Sequence, residues 1–86
     1  MRAAAAAYAA EPGWLDARCA GEKTVCDQRL CSLKFGLAGI GNQPVPTDEK
    51  TAAYKKQCVD AFDFCNGHTD VQGAIKDECK SRGIDL

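Results

Sequence analysis

Apolar positions recur at helical spacing in three stretches of the chain. In the first, Leu15, Cys19, Cys26, Leu30 and Leu33 fall close to one stripe. In the second, Tyr54, Cys58, Ala61, Phe62 and Cys65 repeat at i, i+4, i+7, i+8 and i+11, while Lys50, Lys55, Lys56, Asp60 and Asp63 cover the remainder. A shorter third stripe holds Val71, Ile75 and Cys79. The pattern predicts helices near 15–35, 48–66 and 70–82 with a loop at 36–46. The fold class expected is all-α: a small disulfide-stapled antiparallel helical hairpin plus a short third helix, one domain over 12–86 behind a loose alanine-rich tail at 1–11.

Local signals place the ends. Pro12 and Gly13 break any alanine helix, and Asp16 suits the positive end of the first packed segment, in which Gly21 is a point of bending or restart. Residues 36–46 contain Gly36, Gly39, Gly41, Pro44 and Pro46 and are expected to end the helix and fold back over the hairpin through Leu37, Ile40 and Val45. A brief extended run through Leu33, Phe35 and Leu37 is the alternative there. Thr47 reads as an N-cap with Asp48 and Glu49 in the first turn, Asn66 and Gly67 as a stop, Thr69 with Gln72 as a capping box, and Gly83 as the end of the third helix.

The six cysteines change the picture most. A chain of 86 residues buries a marginal core, and six cysteines suit three disulfides formed in an oxidising compartment. Zinc is a poor competitor, because no Cys-x2-Cys occurs and His68 is the single histidine. Cys19 and Cys26 lie seven residues apart, as do Cys58 and Cys65. In an antiparallel hairpin this equal spacing pairs Cys19 with Cys65 and Cys26 with Cys58 about a pivot near Asn42, which leaves Cys31 for Cys79 on the third helix.

Charge and composition mainly exclude. Eleven basic and 12 acidic residues are mixed along the chain, so no positive stripe offers itself to nucleic acid. No apolar run reaches the roughly 20 residues of a transmembrane helix. Met1 and Arg2 ahead of Ala3 to Ala7 resemble a signal peptide with a short, weak apolar region, and the reading adopted is a mature secreted chain behind an added initiator Met, or the remnant of an alanine-rich leader.

Candidate chemistry is sparse. His68 and Asp70 follow Cys65 and faintly resemble the Cys, His and Asp grouping of secreted phospholipases A2, with Phe35 to Asn42 as a conceivable calcium loop. Thr69 separates the two where that family has them adjacent on a helix, so a helix-linking turn is the expectation. Asp60, Asp63 and Asp70 lack the spacing of a calcium loop. Gly36, Gly39 and Gly41 lack the Lys-Ser or Lys-Thr of a phosphate loop. No catalytic residue, metal ligand or cofactor is assigned. Tyr8 and Trp14 precede the cysteine core as aromatic contacts, and Trp14, Leu37, Ile40 and Val45 are the candidate binding residues.

Trp14-x4-Cys19-x6-Cys26-x4-Cys31, then Tyr54-Lys-Lys-Gln-Cys58-x6-Cys65 and a late Cys79, resembles the small cysteine-rich secreted proteins of filamentous fungi, effector candidates among them. The resemblance implies export, an apoplastic or cell-wall setting, and action by binding a host or microbial partner rather than by catalysis; the binding reading expects a monomer and a protein or cell-wall partner. The chain also resembles the helical hairpins of the mitochondrial intermembrane space, which staple two antiparallel helices by paired cysteines, although their pairs are spaced by nine or three residues and not by six.

Overall fold

Thr24 sets where the first long helix begins. Its hydroxyl oxygen accepts the Asp27 backbone N–H at 3.0 Å while its O–H donates to the Asp27 carboxylate at 2.8 Å, closing a reciprocal cap around the first turn. A computed structural model describes residues 17–86. Within them the chain forms a 3₁₀ turn at Ala17–Cys19 and three helices, α1 at Val25–Gly41, α2 at Thr47–Phe64 and α3 at Thr69–Lys80, with no strand. The all-helical, disulfide-stapled architecture is the one expected. The tail at 1–11, Trp14, Leu15 and Asp16 lie outside the described residues.

The first helix is displaced from its expected span of 15–35. Cys19 belongs to a separate turn, the chain restarts at Val25, and α1 continues through Gly36, Gly39 and Gly41, where a loop and an extended run were the expectations. Each interior glycine costs about 1 kcal/mol relative to alanine. Against that, continuing the helix buries Leu37 completely and packs Ile40 on the core, and a buried leucine alone contributes about 2–3 kcal/mol. The prolines, Pro44 and Pro46, fall beyond the helix end, so the true connection is the short segment 42–46.

Pro46, not Thr47, is the N-cap of α2; Asp48 and Glu49 do occupy the first turn, where negative charge suits the macrodipole. Thr69 opens α3 without a side-chain cap bond, and Gln72 instead donates its amide to the Phe62 carbonyl at 2.8 Å, tying the start of α3 to the end of α2. Gly67 has φ +92° in the turn between these helices. Gly83, at φ +85°, closes α3 with the paired bonds Ile84 N–H to Cys79 and Gly83 N–H to Lys80. This Schellman arrangement turns Ile84 back into the core.

α1 packs on α2 and α3, α2 packs on α3, and the 3₁₀ turn packs on α1. The core joins Cys26, Leu33 and Leu37 of α1, Cys58 and Ala61 of α2, Cys65 at its end, and Val71, Ile75 and Cys79 of α3. The second and third stripes therefore face inward as their periodicity predicts.

All six cysteines are oxidised, in pairs that differ from the expected ones: Cys19–Cys31, Cys26–Cys65 and Cys58–Cys79. The mirror argument required Cys19 to lie on the first helix, and the break before Val25 removes that premise. Cys26–Cys65 still records the antiparallel hairpin, with its midpoint at 45.5, inside the 42–46 connection. Cys58, two turns before Cys65, reaches α3 instead of α1.

The bridges span sequence separations of 12, 39 and 21 residues, so loop closure assigns them about 3, 4 and 3 kcal/mol in that order. Replacing Cys26 and Cys65 by serine is expected to lower the urea midpoint most, Cys58 with Cys79 next, and Cys19 with Cys31 least. Gly39→Ala and Gly73→Ala meet no atom within 4 Å of the new Cβ. Each is expected to stabilise its helix by about 0.5–1 kcal/mol and to raise Tm by several degrees in a calorimetric scan.

Candidate functional site

α1 carries two apolar faces. Cys26, Leu30, Leu33, Leu37 and Ile40 turn to the core, while Cys31 and Phe35 lie about 140° and about 180° round the helix from Cys26. On that second side the segment 17–24 approaches α1. Cys19 is bonded to Cys31, and the Arg18 guanidinium sits 3.8 Å from the centroid of the Phe35 ring. Between segment and helix runs a groove of about 290 Å³ lined by Glu22, Asp27, Leu30, Cys31, Lys34 and Phe35. Its floor is apolar and its rim carries both signs of charge. Phe35 keeps 39% of its surface exposed.

The bridge joins segment and helix covalently. An exposed cation–π contact contributes about 0.5–1 kcal/mol, whereas ordering each backbone residue costs about 1–2 kcal/mol. Residues 17–23 are exposed apart from Cys19, and their turn bonds are Ala20 N–H to Ala17 and Glu22 N–H to Cys19.

The four candidate binding residues do not converge. Leu37 is fully buried in the core and out of reach of a partner; Ile40 is half-buried against that core; Val45 is half-buried in the 42–46 connection; Trp14, like Tyr8, lies outside the described residues. His68 is the exposed N-cap residue of α3 and Asp70 is exposed in its first turn. Among the described residues no group of three His, Cys, Asp or Glu could hold a metal ion, so Asp60, Asp63 and Asp70 do not gather.

Two polar arrangements escaped the sequence reading. Arg29 is fully buried, and its Nη2 donates to the Gln57 side-chain oxygen at 3.2 Å, clamping α1 to α2. At the other end of α1, Lys50 Nζ donates to the Gly41 carbonyl at 2.8 Å, and the Arg82 guanidinium lies 5.9 Å from the Tyr54 ring centroid. A Cβ at position 41 would come within 3.1 Å of the Tyr54 hydroxyl and 3.3 Å of Arg82, so glycine permits this approach. Both cations complement the negative end of a helix that has no basic residue in its own last turn. The missed groove had a visible signal: the cap Thr24-x2-Asp27 marks a helix start that puts Cys19 outside the helix.

Among the described residues no helix is long and apolar enough to cross a membrane. Comparison with protein-family models, curated proteins and solved structures finds no match to this chain.

Arg29→Ala removes a buried stem and leaves Gln57 facing a cavity. It is expected to destabilise the fold by about 2–4 kcal/mol in urea unfolding, with Gln57→Ala costing less because Gln57 is only half-buried.

Proposed function

We propose that the chain is a secreted, disulfide-stapled interaction module of the effector or toxin-like kind, acting by binding a host or microbial protein and not by catalysis. The observation that supports this most is the side of α1 turned away from the core, where Phe35 stays 39% exposed and lines a groove together with Leu30 and Cys31. Aromatic anchors beside a concave apolar floor are favoured hot spots of protein interfaces, and a rim with Glu22 and Asp27 as well as Lys34 suits a peptide segment bearing both charges. Three disulfides with no free cysteine are compatible with an extracellular protein. The mitochondrial hairpin reading draws less support, since one bridge joins α1 to α2 and another leaves α2 for α3.

Binding of the oxidised protein to host-surface, cell-wall and microbial-envelope fractions tests the proposal, with Phe35→Ala as the control. The expected result is capture of a protein partner whose affinity falls at least tenfold, about 1.4 kcal/mol, in Phe35→Ala while the far-UV circular dichroism is unchanged. Empty fractions, or equal affinity for Phe35→Ala, would overturn it.

A further inference from the structure

The three disulfides differ in access, and the difference separates one from the other two. Cys58, Cys65 and Cys79 are fully buried and Cys26 nearly so, which seals the Cys26–Cys65 and Cys58–Cys79 bridges inside the helical core. Cys31 is half-buried and lines the open groove, so a small thiol can enter beside it, while its partner Cys19 is covered. Thiol–disulfide exchange depends on access to the attacked sulfur. The accessible bridge joins the 3₁₀ turn to α1 and spans no pair of helices, and residues 17–23 are exposed apart from Cys19, so opening it leaves the packing of α1, α2 and α3 in place.

We propose that Cys19–Cys31 is a reducible latch: a dithiol reductant opens it selectively, frees the strap of residues 17–23 from α1 and uncovers the Cys31 and Phe35 face. The reductant thiolate attacks the Cys31 sulfur, the bond to Cys19 breaks, and Cys19 leaves as a thiolate that takes a proton from water. The second thiolate of the same reductant then attacks its own sulfur in the mixed disulfide, and Cys31 leaves and is protonated in turn. The bridge gains two electrons and the dithiol ends as a disulfide. This inference does not depend on the binding proposal, because its test uses the purified chain without a partner.

The test is brief treatment of the native full-length protein with dithiothreitol, followed by alkylation and mass mapping of the six cysteines. Cys19 and Cys31 are expected to be labelled at least tenfold faster than the other four, with helical circular dichroism retained. Any other order of opening, simultaneous opening of all three bridges, or loss of helix with the first bridge would overturn the proposal. In a second measurement, Cys19→Ser with Cys31→Ser is expected to bring amide exchange of residues 17–23 to unstructured rates while Leu33, Cys58 and Ile75 keep their protection. Loss of protection at those three, or persistent protection of the strap, would equally sink it.

Discussion

One face of α2 constrains the whole molecule. Cys58 and Cys65 lie two turns apart on it, and each is bonded to a different neighbour, Cys65 to the first turn of α1 and Cys58 to the last turn of α3. Ala61 sits between them, fully buried, and its small side chain lets both neighbours approach the same stripe. Once those two bonds exist, α1 must run antiparallel to α2 and the C-terminal end of α3 must lie beside the middle of α2. Leu33, Leu37, Val71 and Ile75 then fill the space enclosed. A core this small would be marginal on burial alone.

That constraint explains which parts of the fold were legible in the sequence. The stripes Tyr54 to Cys65 and Val71 to Cys79 read correctly because each is governed by one period against one core. The first helix did not. Its termini depend on Thr24 and Asp27 closing a cap, and on Leu37 and Ile40 outweighing three glycines, and the second is a tertiary effect that local propensity does not contain. The disulfide pairing failed for the same reason, since equal spacing of seven carries information only if both members of a pair lie on the same helix. The groove was missed with it: Phe35 looks like an ordinary helix position until Cys19 is placed outside the helix and folded back on Cys31.

α1 is also unusual in what it must satisfy. Arg29 and Ser32 are both buried, and on the side toward α2 Gln57 receives the Arg29 guanidinium while Gly36 lets the Gln57 side chain come close. Leu30, Leu33 and Leu37 meet the core, and Cys31 and Phe35 meet the N-terminal segment. A helix approached from three sides has no broad polar face left to reveal its phase, which is why its pattern misled over its ends more than that of α2 or α3.

The Cys19–Cys31 bridge fits this picture as the least structural of the three. It closes only 12 residues, within one strap and the first half of one helix, and restrains no pair of helices. A loop so short lies at the low end of the entropic benefit a disulfide can give, and the residues it orders are exposed apart from Cys19. What the bond does determine is position: it holds Arg18, Glu22 and the start of α1 around Phe35 and so shapes one side of the groove. Two bridges thus maintain the fold and the third maintains a surface, and a surface held by a single accessible bond can be altered without unfolding what lies beneath it.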